Sequence, residues 1–140
     1  MKTTVTKGNQ TQRSWYLVDL ENQTLGRVCS QIAQILIGKN KPAFSYHRDD
    51  GDYVVAINAD KIQVTGKKLK DKIYRHHTHW SGGLKELSLK EMLQKDPRKV
   101  IIHGVYGMIP KNKLRDRRIT RLKVFVGADH PYTDKLKLNK

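Results

Sequence analysis

The sequence predicts an α/β fold with a small, largely parallel sheet. Short apolar segments rich in strand-forming residues alternate along the chain with segments of helical periodicity or with helix caps. Strands separated by helices favour parallel pairing in one layered domain. At 140 residues the chain fits one domain, with a polar N-terminal arm over about 1–13 and an irregular tail over about 127–140.

The first strand and the first helix are the clearest elements. Residues 15–20, WYLVDL, are typical of a strand buried on both faces. Thr24 is placed to cap a helix whose apolar residues recur at i, i+3, i+4, i+7, i+8 and i+11 over 25–36, and Gly38 is expected to end it. Cys29 lies on this apolar stripe, so we expect a core residue and not a reactive thiol.

Three carboxylates surround Gly51 before the second predicted strand, 52–59. Asp49, Asp50 and Asp52 could bind Mg²⁺ or activate water. No general base, nucleophile motif or glycine-rich phosphate loop accompanies them. The Asp50-Gly51 pair therefore favours a tight turn.

The middle of the chain predicts one strand and one short helix. A polar, basic connection over 61–72 leads into a third strand over 72–78, and a loop follows at 80–83. Ser88 and Glu91 then have the spacing of a capping box, which predicts a helix start.

The distal elements are predicted from caps and alternation. Asp96 as cap and Pro97 at the first helical position start a helix over 98–108. A short basic helix is expected over 112–121, and alternating apolar residues over 122–126 predict a fourth strand.

Positive charge narrows the classes of function. The formal net charge is +15; residues 1–60 carry 7 basic and 6 acidic side chains, whereas residues 61–140 carry 21 and 7. Such charge favours a polyanionic partner, and nucleic acid is favoured over an anionic membrane.

The single cysteine excludes an intramolecular disulfide and a multi-cysteine zinc site. The sequence contains neither a secretory signal nor a membrane span of about 18 apolar residues. We therefore expect an intracellular protein.

Residues 111–123 form the most cationic stretch. It has one acid, Asp116, so pairing within a helix cannot neutralise it. A solvated helix face is the alternative to phosphate binding, which we favour because a predicted strand holds the stretch in place. Its basic side chains are Lys111, Lys113, Arg115, Arg117, Arg118, Arg121 and Lys123.

Three histidines, His76, His77 and His79, lie near Arg75 and Trp80. A metal site would need further ligands, and none stands at a suitable spacing. Stacking on RNA bases with hydrogen bonds to phosphate is one interpretation, and a solvated strand end is the other.

RNA is favoured over DNA as the polyanion. No helix-turn-helix, zinc-finger spacing or basic-zipper heptad is present, and basic loops on a small α/β core suit an RNA recognised by shape. Two rival interpretations stay open. One is a metal-dependent nucleic-acid enzyme using the three histidines and the carboxylates of 49–52, and the other is an architectural DNA-binding protein.

Four strings in register, over about residues 15–127, resemble the bacterial-type ribosomal protein L13 family of the large subunit. They are TLGRVCSQIAQILIGKNKP, GDYVVAINADKIQVTGKKLKDKIY, HHT with the Gly-Gly after it, and VYGMIPKNKLRDRRITRLKVF. His79 and the ending HPYTDKLKLNK depart from the family's pattern.

The resemblance implies a three-layer α/β/α domain with a small, mainly parallel sheet of about four strands. It implies a structural constituent of the large ribosomal subunit that binds ribosomal RNA and helps early assembly. The expected partners are that RNA and neighbouring ribosomal proteins, in the cytoplasmic or an organellar ribosome, with no membrane, small-molecule substrate, cofactor, metal or catalysis. The cations expected to face RNA are Lys39, Lys41, Lys67, Lys68, Lys70, Arg75, His76, His77 and the seven of 111–123.

Overall fold

The main sheet has three parallel strands in the computed structural model, which describes residues 12–137. They are β1 (Trp15–Asp19), β2 (Tyr53–Ile57) and β5 (Leu122–Val124), with β2 in the centre. All three were predicted from the sequence, and each is one to three residues shorter than expected. The central position explains why the apolar residues of β2 are almost completely buried.

The edge strand β1 corrects one prediction. Tyr16 is 43% exposed and Leu17 is 49% exposed, so the strand is not buried on both faces. Leu20, immediately after the strand, is fully buried and contributes to the core. An apolar segment at the start of the chain can therefore lie at an edge, where only part of its surface is covered.

A second sheet stands apart from the first. It pairs β3 (Ile73–His77) with β4 (Leu84–Ser88) in antiparallel orientation. The third predicted strand therefore exists, but it does not join the parallel sheet, and the prediction of about four strands in one sheet is not confirmed. The three-layer arrangement stays a prediction.

The helices confirm most of the predicted caps. The first helix ends at Gly38, whose φ of 85° is left-handed, and the capping box of Ser88 and Glu91 is formed. The α-helices are α1 (Leu25–Ile37), α2 (Lys68–Asp71), α3 (Leu89–Lys95), α4 (Pro97–Met108), α5 (Arg115–Ile119) and α6 (Thr133–Lys137), with a 3-10 helix over Ala59–Lys61.

Three helical segments were not predicted: α2, α6 and the 3-10 turn. The described part of the tail is therefore not wholly irregular, since α6 lies within it. The N-terminal arm up to residue 11 lies outside the described residues.

Helices α1 and α4 cross closely in the core. Cys29 on α1 is buried as predicted, and its Sγ lies 3.9 Å from the carbonyl oxygen of Ile101 on α4. A Cβ placed on Gly104 would come within 2.8 Å of that sulfur. Gly104 thus permits the close approach of the two helices.

The segment before β2 also packs closely on α1, and it corrects the predicted turn. Residues 50 and 51 do not adopt a turn. A Cβ on Gly51 would lie 1.7 Å from the carbonyl oxygen of Leu36. Glycine is needed there because two backbone segments meet, and not because the chain reverses.

Candidate nucleic-acid interface

Asp49 lies at the centre of a cluster of arginines. Arg121 donates to both of its carboxylate oxygens at 2.6 Å, and Arg13 Nη2 lies 3.6 Å from one of them. Arg118 Nε lies 3.6 Å from the carboxylate and donates through Nη2 to the carbonyl of Arg48 at 2.9 Å. The single carboxylate of Asp49 therefore forms ion pairs with three guanidinium groups.

Two of these arginines are inside the protein. Arg118 is 1% exposed and Arg121 is 4% exposed. Their guanidinium groups bind Asp49 and backbone carbonyls, which argues against direct contact with RNA, so the expectation that both face RNA stays a prediction. Buried arginine is stable only when paired and hydrogen-bonded. Both guanidinium groups have an ion-pair partner and hydrogen bonds through their Nη atoms, while the buried Nε of each has no hydrogen-bond acceptor.

The electrostatics of Asp49 follow from this cluster. Burial acting by itself would raise the pKa of the Asp49 carboxyl. The hydrogen bonds and charge of Arg121, with the charges of Arg13 and Arg118, outweigh burial and hold that pKa below its ordinary value. Asp49 therefore stays ionised and holds the arginines in position.

The other two carboxylates of this segment are also charge partners. Asp52 accepts from Lys41 Nζ at 2.5 Å and from the backbone N–H of Ser14 at 2.9 Å. Asp50 lies 3.1 Å from Arg48 Nη2. Both carboxylates are therefore engaged in ion pairs within the protein. Lys41, which was expected to contact RNA, is half-buried and is bound to Asp52.

An open groove of about 720 Å³ lies over the arginine cluster. Its lining combines distant parts of the chain: Arg13 from the N-terminal segment, Asp49 and Tyr53 from around the start of β2, and residues 116–123. The lining contains four basic side chains and two carboxylates. The basic side chains are Arg13, Arg117, Arg121 and Lys123, and the carboxylates are Asp49 and Asp116. We call this surface the Arg117 groove, and it can accept an anion of the size of a phosphate.

Arg13 was missed by the sequence analysis. It lies in a polar segment with no cationic neighbours, and only the fold brings it to Asp49. No signal local to residue 13 indicates this contact.

Arg115 is held against α4. Its Nε donates to the carbonyl of Tyr106 at 2.9 Å, and its guanidinium lies 3.6 Å from the centre of the Tyr106 ring. The contact satisfies a carbonyl in the last turn of α4 and fixes the start of α5. Arg115 is half-buried, so it serves the fold as well as the basic surface.

The remaining predicted cations are on the surface. Their exposure allows them to contact a large polyanion, unlike that of the buried Arg118 and Arg121. The exposed lysines and arginine are Lys39, Lys67, Lys68, Lys70, Lys111, Lys113 and Arg117.

The strand pair β3–β4 carries the histidines. Arg75 Nε binds Glu86 at 2.5 Å, and His77 Nδ1 accepts the backbone N–H of His79 at 2.9 Å. His76 is exposed and lies opposite Lys85 in the ladder. Between residues 12 and 137, no group of three or more His, Cys, Asp or Glu side chains is placed to hold a metal ion.

A separate cleft of about 440 Å³ lies where α1, α2 and α4 approach one another. It is lined by Cys29, Leu89 and Met108 on its apolar side and by Lys67 and Lys68 at its rim.

None of the helices in the described part of the chain has the length and apolar character that crossing a bilayer requires.

Comparison with known proteins gives near full-length matches. The family model of ribosomal protein L13 matches residues 13–131. Large ribosomal subunit protein uL13 of Clostridioides difficile (strain 630) is 54% identical over 132 residues, which cover 94% of this chain and 92% of that protein. The uL13 protein of Caldanaerobacter subterraneus subsp. tengcongensis is 50% identical with the same coverage, and that of Geobacter sp. (strain M21) is 47% identical over 94% of this chain and 93% of its own length.

Proposed function

The chain belongs to the ribosomal protein L13 family, and from this premise we propose that it binds ribosomal RNA in the large subunit and helps early assembly of that subunit. The family consists of structural ribosomal proteins, so no catalytic activity is assigned. Its partners are the RNA and the ribosomal proteins beside it, in the cytoplasmic ribosome. The proposal includes a single three-layer domain.

The Arg117 groove carries the proposal. Arg121 is buried and paired with Asp49, which leaves three cations, Arg13, Arg117 and Lys123, against one further carboxylate, Asp116, along the groove. A phosphate group would complete this arrangement, because charge-assisted hydrogen bonds from arginine to phosphate are among the stronger polar contacts. The exposed lysines of α2 and of residues 111–113 extend the same attraction over a larger surface.

Recognition of this kind depends on the shape of the RNA. Phosphate contacts position a protein on its nucleic acid and carry no base sequence by themselves. The groove draws its cations from both ends of the chain, so its spacing exists only in the folded domain. A folded RNA whose phosphates match that spacing is therefore preferred over an arbitrary strand.

The test separates exposed from buried cations. We expect Arg117→Gln to weaken binding to an in vitro transcript of large-subunit ribosomal RNA and to reduce the slope of log affinity against log salt by about 0.7–0.9. Lys95→Gln on α3 removes the same charge from a surface that we do not assign to RNA, and it should leave both quantities unchanged. Equal salt slopes for wild type and Arg117→Gln would contradict the proposal for this groove.

Arg118→Gln gives the complementary result. Its side chain is buried, so we expect the variant to lose stability in denaturant before any specific effect on RNA can be measured. A stable Arg118→Gln protein with a reduced salt slope would show instead that Arg118 reaches the RNA.

A further inference from the structure

The β3–β4 ribbon exposes apolar side chains away from the main sheet. Within residues 12–137 its strands pair with each other and with no third strand. Isolated two-stranded hairpins have little stability of their own in water. Trp80 at the tip is 79% exposed and Leu84 beside it is 57% exposed, which makes the tip the most apolar exposed part of the ribbon.

The ribbon is anchored at the end where β3 begins and β4 ends. The N–H of Leu89 donates to the carbonyl of Lys72 at 2.8 Å, and the Tyr74 ring meets His103 of α4 edge-on at 5.2 Å. These contacts lie at the end of the ribbon opposite to Trp80. The tip is therefore presented to solvent by a fixed base.

The tip loop itself is ordered by hydrogen bonds. The Thr78 N–H donates to the backbone carbonyl of Gly83 at 3.0 Å, and the Gly83 N–H donates to the backbone carbonyl of Trp80 at 2.9 Å. His79 has a left-handed φ of 66°, a conformation that few non-glycine residues adopt, and its N–H donates to His77 Nδ1. The backbone that carries Trp80 is thus fixed, so presenting the ring costs little further conformational entropy on binding.

The charge around the tip selects the kind of partner. Residues 72–85 include three lysines or arginines, three histidines and no acidic residue. The nearest acid in the ladder, Glu86, is bound to Arg75 at 2.5 Å, and Lys85 stands opposite His76. An exposed aromatic ring among cations is complementary to a nucleic acid strand, which offers both flat bases and phosphates.

We propose that Trp80 is a stacking platform for one unpaired base of the ribosomal RNA, with phosphates of the same strand bound by Lys85 and His76. The inference rests on the proposed function and specifies which RNA feature the ribbon contacts. The base must be unpaired because bases inside a helix have both faces covered by their neighbours. Stacking on an aromatic ring tolerates any base, so the ribbon selects an open loop or bulge and not a sequence.

Two substitutions at one position test the proposal with the full chain and the same ribosomal RNA transcript. Trp80→Ala should weaken binding about fivefold or more, whereas Trp80→Phe, which keeps an aromatic face, should stay within about twofold of wild type. Both variants should keep the wild-type salt slope, because stacking releases no counterions. Thermal melting by circular dichroism should be unchanged, since the side chain is mostly exposed.

Fluorescence reports the contact directly. The chain has two tryptophans, Trp15 and Trp80, so Trp15→Phe leaves Trp80 as the single indole. Its emission should be quenched when the transcript binds and should be unaffected by a fully paired RNA duplex. Quenching of equal depth by the duplex would overturn the requirement for an unpaired base.

The remaining outcomes distinguish failure of the stacking site from failure of the proposed RNA-binding function. If wild type and Trp80→Ala bind the transcript equally, the stacking site is refuted while RNA binding stands. If Trp80→Ala binds RNA normally but no longer stays in assembled large subunits, the partner at Trp80 is a protein and the inference is overturned. If wild type does not bind the transcript at all, the proposed function and this inference are both refuted.

Discussion

Arg121 donates hydrogen bonds of 2.6 Å to both carboxylate oxygens of Asp49, across 72 positions of the chain. The same guanidinium donates at 3.2 Å to the carbonyl of Leu36 near the end of α1. One side chain therefore connects the first helix, the segment before the central strand and the start of β5. The pair lies beneath the Arg117 groove and fixes its floor.

Removing the carboxylate should destabilise the fold. Asp49→Asn leaves the buried guanidinium groups of Arg118 and Arg121 without their anion, and we expect a loss of about 3 kcal/mol in the free energy of unfolding. Urea unfolding followed by circular dichroism measures it. Asp116→Asn, an exposed carboxylate in the same groove, should change the value by less than about 0.5 kcal/mol. Similar losses for the two variants would contradict the structural role of Asp49.

The Asp49 contribution should disappear in acid. Its pKa is lower in the folded protein than in the unfolded chain, so it stabilises the fold above the unfolded value of about 3.9 and loses that effect as pH falls through the folded value. The difference in unfolding free energy between wild type and Asp49→Asn should be constant from about pH 7 to 5 and shrink below about pH 4. A difference that persists undiminished at pH 2 would show that the ionised carboxylate is not its source.

Two glycines one turn apart on α4 should respond in opposite directions. Gly104→Ala places a Cβ 2.8 Å from Cys29 Sγ and should destabilise by about 1–3 kcal/mol, whereas Gly107, with open space around it, should gain about 0.5 kcal/mol on change to alanine. Thermal unfolding of both variants measures the contrast. In a Cys29→Ala background the penalty at Gly104 should fall, since the sulfur is gone and the remaining Cβ is 3.7 Å away. An unchanged penalty in that background would exclude the sulfur as its cause.

Cys29 should react only after unfolding. Burial raises the pKa of its thiol to about 11, from a usual value of 9.0, so little thiolate exists at pH 8. Labelling by iodoacetamide, followed by mass spectrometry, should be slow in buffer and fast in concentrated urea. Equal rates in the two conditions would show that the α1–α4 contact opens readily.

Local signals account for the elements that were predicted. The stripe of α1 lies within 13 residues, and the capping box joins Ser88 to Glu91, three residues later. Asp96 and Pro97 likewise specify the start of α4 by local chemistry, with the Asp96 carboxylate accepting the N–H of Arg98 at 3.2 Å. Such features depend little on the rest of the fold.

The errors come from interactions between distant residues. The sequence LKELS of β4 has no β-branched residue, so only its pairing with β3 makes it a strand. Arg118 and Arg121 look like members of an exposed basic segment until Asp49 is brought beside them. The sequence predicts three basic segments facing RNA, whereas the fold buries two cations of the last segment, Arg118 and Arg121, and brings Arg13 beside it from the N-terminal part of the chain.

The span between Asp49 and Arg121 also constrains synthesis of the protein. During translation, the carboxylate leaves the peptidyl-transferase centre 72 amino acids before its guanidinium partner exists. The central strand therefore has no β5 beside it over that interval, and its second edge stays open. A nascent chain of this protein must complete Arg121 before its hydrophobic interior can close around the paired charges.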